Sequence, residues 1–485
     1  MVEDYKMFID GQWVSAQDGA TYDDMNPYSG EVFARVAAGR RADAGRAIAA
    51  AASAFPGWAA TSPGQKQALF LRAADILEQK RPEIVRIIAE ETGGTFGWAL
   101  FQSGFTPGLL RQAAAQVHQP TGEIIPTDTP DARFMTIRQP VGVVAGIAPW
   151  NAPLILSLRS ICLPMAYGNT VVLKPSSESA VVGGVILAQV FEEAGFPKGV
   201  MNLVTNGPSA GSEIGDEFVE NPQVRRISFT GSTQVGREIA EKAGRHLKRV
   251  ALELGGNNPL LVLRDADVDY AVNVAAWGAF LHQGQICMSV RRIIVEEPVA
   301  AEFTEKLVKK TQSLKVGNPM EPDTVIGPII NRRQLAQIEA NVERAVREGA
   351  TVLCGGKAEG PFYHPTVLTD VNPQMDMCCE ETFGPVVSIL TAPDLETAIS
   401  LANETKYGLS AGVVTEDLNK ALWAAEHIES GMVHINDSSV GDEPQVPFGG
   451  IKESGIGRMG GRAALEEFTE LRWISYQQKH RQYPW

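Results

Sequence analysis

Residues 226–256 read RISFTGSTQVGREIAEKAGRHLKRVALELGG. The β-rich runs Arg226–Phe229 and Arg249–Leu252 predict two strands, and the stretch between them predicts a helix at residues 232–244. A strand, a crossover helix and a second strand form the repeating unit of a parallel sheet that is covered on both faces. This stretch therefore predicts an α/β fold.

The same alternation of strands and helices extends on both sides of this stretch. Upstream, strands are predicted at Val141–Ala148, Thr170–Leu173 and Val200–Val204, with helices at residues 154–165 and 179–194 between them. Downstream, strands at Leu260–Leu263 and Ile293–Val295 precede helices at residues 268–281, 300–314 and 332–347. Residues 65–91 predict two further helices, the second of which opens at Pro82. We therefore expect two α/β lobes that meet near residue 253.

The length and two irregular segments suggest a third, smaller part. A chain of 485 residues is long enough for about three domains. Four prolines interrupt the pattern between residues 120 and 140, and Leu471–Tyr476 alternates like a strand. An exposed strand edge is a liability unless it is paired, so we expect both segments to form contacts between subunits. Ordinary surface ribbons are the alternative.

Charge, cysteine content and hydropathy exclude several classes of protein. The formal net charge is −14 and no Lys/Arg block stands out, which argues against a nucleic acid or an anionic membrane as partner. Five scattered cysteines are too few for a disulfide framework or for zinc knuckles. No signal peptide is visible, and no apolar run approaches the roughly 20 residues that cross a bilayer. These observations predict a cytoplasmic protein without a metal site.

The turn within Phe229–Gly236 is the first candidate for ligand binding. Gly231 lets a phosphate approach the backbone amides, and the N-terminus of the following helix favours negative charge. The turn lacks the G-x-G-x-x-G pattern of many dinucleotide-binding proteins. An ordinary strand-to-helix turn is therefore the alternative.

Three polar residues stand beside predicted strands. Glu253 ends an apolar strand, where burial would raise the pKa of its carboxyl and poise it as a general base; a surface glutamate is the alternative. The amide of Asn151 offers either a donor for a developing oxyanion or a cap for the next helix. Cys287, between a helix and a strand, is either a nucleophile or an inert buried cysteine.

Two neighbouring features carry less information. His282 lies five residues before Cys287 and is predicted to be a capping or surface residue. The vicinal pair Cys378-Cys379 has no second Cys/His pair and is predicted to be structural.

Seven short motifs occur in one order along the chain. They are Pro149-Trp-Asn-Ala-Pro153, Lys174-Pro175, Phe229–Gly236, Glu253-Leu-Gly-Gly256, Gly284-Gln-Ile-Cys287, Glu380-Glu-Thr-Phe-Gly-Pro385 and Pro447-Phe-Gly-Gly-Ile-Lys452. In this order they resemble the NAD(P)-dependent aldehyde dehydrogenase superfamily over essentially the whole chain. The resemblance implies an α/β fold with a Rossmann-type cofactor lobe, an α/β catalytic lobe and a small β oligomerisation arm.

The resemblance also implies domain boundaries. The NAD(P)-binding domain would take residues 1–120 and 141–252, and the catalytic domain residues 253–453. The arm would take residues 121–140 and 468–485, with residues 454–467 as a connecting segment. Such an arm implies a homodimer or a homotetramer.

Carried onto this sequence, the resemblance assigns roles to individual residues. Cys287 is the expected nucleophile, Glu253 the expected general base, and Asn151 with the Cys287 N–H the expected oxyanion hole. Lys174 is expected to contact the adenosine ribose and Glu381 the nicotinamide ribose. The other residues expected in the cofactor cleft are Trp150, Ser177, Thr230, Gly231, Ser232, Leu254 and Phe383, with Gly231 and Ser232 at the pyrophosphate.

This set of residues implies a reaction in two stages. A thiolate that attacks an aldehyde forms a tetrahedral thiohemiacetal, which advances only by losing hydride to an oxidised nicotinamide. The resulting thioester needs an activated water, and Glu253 would supply the base. Branches of the family that pass the acyl group to coenzyme A lack a glutamate in this motif. Glu253 therefore implies release of the free carboxylic acid.

The position three residues after Lys174 bears on the choice between NAD and NADP. NAD-preferring members often carry a glutamate there, whereas this chain has Ser177 and places the glutamate at Glu178. A carboxylate at residue 177 would repel the 2′-phosphate of NADP. Its absence implies that NADP is tolerated alongside NAD.

Three segments, residues 149–159, 284–289 and 442–448, resemble the vanillin, salicylaldehyde and benzaldehyde dehydrogenase branch. The resemblance implies an apolar slot for a flat aromatic aldehyde, with core packing as the alternative reading of its residues Leu156, Ile286, Met288 and Phe448. Gly441 and Arg291 depart from that branch, which often has histidine and a neutral or acidic residue there. The alternative functions are a dehydrogenase for a semialdehyde with a distal carboxylate, anchored by Arg159 or Arg291, and a catalytically silent scaffold.

Overall fold

The computed structural model describes residues 2–119 and 121–485, so Met1 and Pro120 lie outside the described residues. The N-terminal part contains β1 (Glu3–Tyr5), β2 (Met7–Ile9), β3 (Gln12–Val14), β4 (Thr21–Met25), β5 (Val32–Ala37), α1 (Arg41–Ala60), α2 (Pro63–Gln79), α3 (Arg81–Thr92), α4 (Phe96–Gln116), β6 (Gly122–Ile125) and β7 (Ala132–Pro140). The next part contains β8 (Val143–Ile147), α5 (Pro153–Ala166), β9 (Thr170–Lys174), α6 (Ile186–Glu193), β10 (Met201–Leu203), α7 (Gly211–Glu220), β11 (Val224–Thr230), α8 (Thr233–Arg245) and β12 (Arg249–Glu253).

The C-terminal half begins with β13 (Asn258–Val262), α9 (Val268–Phe280), β14 (Val290–Glu296), α10 (Glu297–Gln312), α11 (Arg332–Arg347), β15 (Thr351–Cys354), β16 (Ala358–Glu359), β17 (Phe362–Tyr363) and β18 (Thr366–Thr369). It continues with α12 (Asp376–Cys379), β19 (Val386–Ala392), α13 (Leu395–Asn403), β20 (Ser410–Val414), α14 (Leu418–His427), β21 (Met432–Ile435), β22 (Gly455–Ile456), α15 (Ala463–Glu467) and β23 (Thr469–Gln477).

The first large sheet contains the strand–helix–strand unit predicted for residues 226–256. Its strand order is β22-β12-β11-β8-β9-β10-β2-β3, and β11 pairs in parallel with both β12 and β8. The strands β8 and β9 are buried along their whole length, because helices cover both faces of the sheet. The predicted parallel α/β lobe is confirmed; the short antiparallel edge strands β2, β3 and β22 were not predicted.

The second large sheet lies immediately after the first in sequence. Its order is β15-β18-β19-β14-β13-β20-β21, and its central pairings are parallel. The strand β12 ends at Glu253 in the first sheet and β13 begins at Asn258 in the second. The chain therefore passes from the first sheet to the second between Glu253 and Asn258.

The helices predicted in the first lobe form, but one of them is irregular. The helix predicted at residues 179–194 opens with a π-helical turn at Val181–Val185 before it becomes α6. Two N–H groups of this segment, those of Val181 and Val182, donate to the buried carboxylate of Glu91 over 2.6 and 2.8 Å. These bonds satisfy donors that a regular first turn would leave unpaired.

A separate three-stranded antiparallel sheet joins the two segments that were expected to form contacts between subunits. It has the order β23-β7-β6, and β23 pairs with β7 from Thr469↔Pro140 to Gln477↔Ala132. Exposed apolar side chains on this sheet are Ile124, Ile125, Leu471, Trp473 and Tyr476. Among the described helices, none is long and apolar enough to cross a membrane.

Candidate active site

A cleft in two parts runs along the ends of the first sheet's parallel strands, where ligands bind in open α/β sheets. The distal part, of about 410 Å³, is lined by residues that include Lys174 and Ser177. The proximal part, of about 390 Å³, is lined by residues that include Leu254, Glu381 and Phe383. The residues shared by both parts include Trp150, Thr230, Gly231 and Ser232. The structure thus brings all the residues predicted for the cofactor to one continuous cleft.

Lys174 and its neighbours form one wall of the distal part. The Lys174 side chain is almost fully buried, and burial lowers the pKa of its ammonium to about 8. Its Nζ donates to the adjacent Pro175 carbonyl over 3.3 Å. The carboxylate of Glu178 accepts a hydrogen bond from the Asn331 amide and is not among the groups that line the cleft. Ser177 does line it, so no carboxylate stands at that point of the wall.

The turn between β11 and α8 forms the floor that both parts share. The Thr230 hydroxyl is buried and has no hydrogen-bond partner among the described residues. The Gly231 N–H donates to the Glu253 carbonyl over 3.0 Å, and the Ser232 hydroxyl caps α8 by accepting from the Val235 N–H over 3.4 Å. An unsatisfied hydroxyl beside a helix N-terminus suits a phosphate group.

Aromatic and acidic side chains enclose the proximal part. The rings of Trp150 and Phe383 meet edge to face with centroids 5.6 Å apart. Oε1 of Glu381 accepts a hydrogen bond from the Gly256 N–H over 3.2 Å. Burial raises the pKa of the Glu381 carboxyl to about 7, against the opposing charge of Arg291. The cleft as a whole fits a nicotinamide dinucleotide: a buried cation and a helix N-terminus toward one end, and a carboxylate beside aromatic rings at the other.

Cys287 lies where the proximal cleft meets a second cavity. This apolar cavity, of about 570 Å³, shares Asn151, Leu156 and Cys287 with the proximal cleft. The backbone around the cysteine is held firmly, because the Cys287 carbonyl accepts from Asn258 Nδ2 over 2.8 Å and the Met288 carbonyl accepts from Ser439 Oγ over 2.6 Å. A group bound to the thiol can therefore reach both spaces.

The charges around Cys287 keep its thiol protonated. Burial, together with the carboxylates of Glu381 and Glu253 and against the charge of Arg159, raises its pKa to about 12. An unassisted thiol of this kind is a poor nucleophile. Forming the thiolate requires a positive charge or a proton acceptor next to the sulfur.

The turn that precedes Cys287 has an unusual backbone. His282, Gln283 and Gly284 have φ angles of 50°, 55° and 65°, a left-handed conformation that costs free energy in non-glycine residues. At Gly284 a side chain would also collide, because an added Cβ would lie 2.2 Å from the Gly384 carbonyl oxygen. Gln283 helps to hold the turn by donating to the Gly93 and Pro328 carbonyls over 3.1 and 2.9 Å.

The prediction that His282 caps a helix or lies at the surface is wrong. Its ring is fully buried and stacks on Trp98 with centroids 5.1 Å apart. Burial lowers the pKa of His282 to about 3, so the imidazole stays neutral. The stacking partner comes from α4, far away in sequence, which is why the local pattern did not reveal it.

Asn151 is positioned by the same tryptophan. Trp98 Nε1 donates to the Asn151 carbonyl over 3.1 Å, and Asn151 lines both the proximal cleft and the apolar cavity. The N-cap of α5 is Ala152, with no side-chain capping bond. The capping alternative is therefore wrong, and the Asn151 amide is available to a bound ligand.

Glu253 is buried, so the alternative of a surface glutamate is also wrong. Its side chain is 2% exposed, and neither carboxylate oxygen has a hydrogen-bond partner among the described residues. Burial raises the pKa of the Glu253 carboxyl well above its usual range, against the opposing charges of Arg159 and Arg458. The carboxylate packs beside Gly449 and is not among the groups that line the cleft or the cavity.

The apolar cavity contains the four residues predicted for an aromatic slot. Leu156, Ile286, Met288 and Phe448 all line it. Arg159 also lines it, but its charge is balanced by Asp442, whose Oδ2 accepts from Nη2 over 2.7 Å. Arg291 does not line the cavity; it donates instead to the carbonyls of Gly284 and Gly384. Arg291 therefore offers no anchor for a distal carboxylate.

Two cavity residues escaped the sequence reasoning. Asp442 stood within a quoted segment but carried no motif of its own, and His434 belongs to β21, about 150 residues after Cys287. The pair Cys378-Cys379 lies in α12 with both thiols free. Within the described part of the chain, no group of three or more His, Cys, Asp or Glu side chains is arranged to hold a metal ion.

Comparisons with known proteins agree on one family. A family model described as "Aldehyde dehydrogenase family" matches residues 13–474. The vanillin dehydrogenase of Pseudomonas fluorescens is 45% identical over 481 residues, which cover 99% of each protein. A crystal structure of a salicylaldehyde dehydrogenase from Pseudomonas putida G7, complexed with salicylaldehyde, is 42% identical with a TM-score of 0.98 and 100% coverage of both chains. A betaine aldehyde dehydrogenase from Staphylococcus aureus in complex with NAD+ is 34% identical with a TM-score of 0.96, covering 99% of this chain and 96% of the other.

Proposed function

The chain belongs to the aldehyde dehydrogenase family and is an NAD(P)-dependent enzyme that oxidises an aldehyde, and we propose that its substrate is aromatic and its product the free carboxylic acid. One observation carries this proposal. Cys287 and Asn151 line both the cofactor-sized cleft and an apolar cavity of about 570 Å³. An aldehyde bound in the apolar cavity can therefore contact the Cys287 thiol at the point where the cavity opens into the cofactor-sized cleft.

The first stage belongs to Cys287 and Asn151. After the thiol has lost its proton to solvent, the thiolate adds to the aldehyde carbon, and the C=O π bond breaks so that the oxygen becomes the alkoxide of a thiohemiacetal. The Asn151 amide and the Cys287 N–H donate to that oxygen, each donor being worth about 3 kcal/mol in the transition state. When bound, the oxidised nicotinamide supplies the hydride acceptor and a positive charge.

The second stage belongs to Glu253. The thioester on Cys287 must be hydrolysed, and the Glu253 carboxylate takes a proton from the attacking water. Burial raises the pKa of this carboxyl above its usual range, which makes its ionised form a stronger base. The carboxylate has no hydrogen-bond partner among the described residues, but it does not line the cavity, so its side chain would have to turn toward Cys287 to orient a water at the acyl carbon.

The walls of the cleft support binding of either NAD or NADP. Lys174 presents a buried ammonium, and Ser177 leaves its part of the wall without a carboxylate. We propose that Lys174 and Ser177 face the adenosine ribose, that the turn Thr230-Gly231-Ser232 faces the pyrophosphate, and that Glu381 binds the nicotinamide ribose. In this arrangement Trp150, Leu254 and Phe383 enclose the nicotinamide half.

The shape and lining of the apolar cavity support an aromatic aldehyde. A flat ring can pack against Leu156, Ile286, Met288 and Phe448. The names of the relatives reported above, vanillin and salicylaldehyde dehydrogenase, point to the same class. A semialdehyde with a distal carboxylate is disfavoured, because Asp442 already balances the charge of Arg159.

The test is a panel of aldehyde substrates, with the rate of each reaction measured from the absorbance of the reduced cofactor. We expect a higher kcat/KM for benzaldehyde and vanillin than for acetaldehyde; faster turnover of acetaldehyde than of every aromatic would refute the assignment. Cys287→Ala should abolish activity. Cys354→Ala, which removes a half-buried thiol in β15, is the matched control and should retain it.

We propose that the subunits form a homodimer or homotetramer through the sheet of β6, β7 and β23. Its exposed apolar side chains, such as Leu471 and Trp473, would be buried by a second subunit. Light scattering should then give a mass that is a multiple of the 52.3 kDa chain. Leu471→Glu should reduce that mass, whereas Leu418→Glu, an equally exposed change on α14, should not.

We also propose that the enzyme works in the cytoplasm. All five cysteines are free thiols, and a reducing compartment keeps a nucleophilic thiol available. Fractionation of cells that express the tagged chain would test this; recovery with the membrane or secreted fraction would contradict it.

A further inference from the structure

Arg333 is a cation in the cofactor cleft that none of the seven sequence motifs contains. It is the second residue of α11, and its exposed side chain lines both the proximal and the distal part of the cleft. The two parts also share Thr230, Gly231 and Ser232, the turn proposed to face the pyrophosphate. Arg333 therefore lies at the junction of the two parts, where that turn lies as well.

The N-terminus of α11 is anchored to segments on both sides of this junction. On the distal side, the Asn331 amide donates to the Glu178 carboxylate. On the proximal side, Gln334 Nε2 donates to the Phe383 carbonyl over 3.0 Å. Asn331 also caps the helix, since its Oδ1 accepts from the Gln334 N–H over 2.8 Å. Because Arg333 lies between these two anchors, the fold fixes the place of its backbone beside the cleft.

Glu178 acts on α11 rather than on the interior of the cleft. Burial raises the pKa of its carboxyl, and the hydrogen bond from Asn331 and the charge of Arg333 oppose that rise. Arg333 influences this carboxylate through its charge, whereas the hydrogen bond comes from Asn331. The guanidinium is therefore close to Glu178 without a hydrogen bond to it. The glutamate that stands one position later than in many NAD-preferring members thus holds the helix that carries Arg333.

The charges and unpaired atoms at the junction favour an anion. The chain has a formal net charge of −14, so a dianionic pyrophosphate is bound more readily beside a local cation. Lys174 lines the distal part, and among the described residues that line the proximal part Arg333 is the one cationic side chain. The Thr230 hydroxyl is buried and has no hydrogen-bond partner among the described residues. A guanidinium, an unpaired hydroxyl and the N-terminus of α8 together suit the two phosphates of a dinucleotide.

We propose that Arg333 is a cofactor-binding residue whose guanidinium binds the pyrophosphate of NAD(P). Glu178 is a positioning residue: it holds α11 through Asn331 and does not itself contact the cofactor. This inference rests on the proposed function and adds a residue that serves NAD and NADP alike, because both contain the pyrophosphate. A residue that recognised the 2′-phosphate would affect NADP alone.

Binding to the enzyme without substrate, measured by isothermal titration calorimetry, tests this assignment. Arg333→Gln keeps a long polar side chain but removes the charge, so the Kd values for NAD, NADP and ADP-ribose should each rise about tenfold. Arg333→Lys keeps the charge but loses the paired donors, and it should give a smaller rise. In steady-state assays the KM for the cofactor should rise together with Kd, while kcat changes less.

Arg332→Gln is the matched control. Arg332 precedes Arg333 at the same helix end and is also exposed, but it lines a separate cavity of about 730 Å³ with Tyr28 and Pro361. Its replacement removes the same charge and should leave all three Kd values unchanged. Equal rises in the two variants, or no rise in Arg333→Gln, would overturn the assignment. A rise for NADP alone would also overturn it, since Arg333 would then contact the 2′-phosphate.

A double-mutant cycle tests the positioning role of Glu178. Glu178→Ala and Glu178→Gln both remove the charge, but the glutamine oxygen can still accept the hydrogen bond from Asn331. Glu178→Ala should therefore raise the Kd for NAD more than Glu178→Gln does, and its effect should shrink in the Arg333→Gln background. Independent, additive effects would contradict the positioning role.

The wild-type titrations separate this inference from the proposed function. If the wild type binds neither NAD nor NADP, the proposed function fails together with the inference. If the wild type binds a dinucleotide and Arg333→Gln binds it equally well, the inference alone fails.

Discussion

The Arg291 guanidinium donates to the Gly384 carbonyl over 2.5 Å, and its other terminal nitrogen donates to the Gly284 carbonyl. Gly284 belongs to the turn that leads into Cys287, and Gly384 follows the segment that carries Glu381 and Phe383. One buried side chain thus fixes the distance between the proposed nucleophile and the wall of the cofactor cleft. Burial lowers the pKa of Arg291 to about 10, so it stays charged at neutral pH.

Replacing Arg291 should loosen this connection. In Arg291→Lys the ammonium cannot reach both carbonyls in the same way, and an unpaired buried carbonyl costs about 1–3 kcal/mol of unfolding free energy. We expect the KM for NAD(P) to rise about tenfold, since a shift of the Glu381 segment weakens cofactor binding by roughly 1.4 kcal/mol. Urea denaturation and steady-state kinetics measure the two effects.

Arg292→Lys is the matched control for that change. Arg292 is equally buried, but it donates to the carbonyls of Asn257, Leu401 and Ala402. It should cost similar stability with a smaller effect on cofactor KM. Equal KM changes in the two variants would argue against a specific role for Arg291.

Glu253→Gln should separate the two stages of the reaction. The amide keeps the shape of the side chain but cannot accept a proton from water, so the thioester should accumulate. Rapid mixing with an aldehyde and NAD(P)+ should show a burst near one equivalent of reduced cofactor, followed by a steady state about 10²–10⁴-fold slower than that of the wild type. Loss of the burst itself would place Glu253 in the first stage instead.

The same carboxyl should give the wild type a characteristic dependence of stability on pH. Because the folded-state pKa of Glu253 lies well above its usual value of 4.5, the folded protein holds this proton where the unfolded chain has lost it. The contribution of this carboxyl to the free energy of unfolding is therefore fully present below about pH 4.5. That contribution is lost as the pH rises through the folded-state pKa.

Glu253→Gln lacks this titration, so its melting temperature should lie closest to that of the wild type near pH 5 and exceed it by a growing margin toward pH 8. Each unit of pKa shift corresponds to about 1.4 kcal/mol of unfolding free energy. A change of 1 kcal/mol moves the Tm of a domain of about 150–250 residues by about 2–4 °C. All other ionisable groups are the same in both proteins. The difference in Tm between them, measured by differential scanning calorimetry at each pH, therefore reports on Glu253 alone. A constant difference in Tm from pH 5 to pH 8 would contradict the raised pKa.

Glu381 should slow the reaction of Cys287 with alkylating agents. Its carboxylate is the strongest electrostatic cause of the raised thiol pKa after burial. Glu381→Gln should therefore increase the rate of alkylation by iodoacetamide at pH 8 severalfold, because more of the thiol is ionised. Glu380→Gln is the control: that exposed side chain pairs with Lys406 and should leave the rate unchanged. Peptide mass spectrometry assigns the modified cysteine.

Ser177 should allow NADP to bind. We expect the kcat/KM values for NAD and NADP to lie within a thousandfold of each other. Ser177→Glu should lower the value for NADP about tenfold or more, since a carboxylate near the 2′-phosphate repels it by roughly 1–4 kcal/mol. Ser177→Gln, of similar size without charge, should leave the NADP value closer to that of the wild type. A wild-type preference for NAD above a thousandfold would contradict this reading of Ser177.

The sequence alone predicted the architecture and most of the candidate site. Continuous apolar runs such as Thr170–Leu173 indicate buried parallel strands because only helices on both faces can cover them. Cys287, Glu253 and Asn151 could be named because motifs are local: their residue types and spacing are visible in a few consecutive positions.

Tertiary structure decided what depends on partners distant in sequence. His282 is buried because Trp98 of α4 stacks on it. Arg291 connects two separate loops because it donates to a carbonyl of each. Arg159, His434 and Asp442 line one cavity because α5 lies against β21 and the loop that follows it. The ion pair that neutralises Arg159, and therefore the net charge of the cavity, depends on Asp442 from a distant part of the chain. No single stretch of sequence could reveal it.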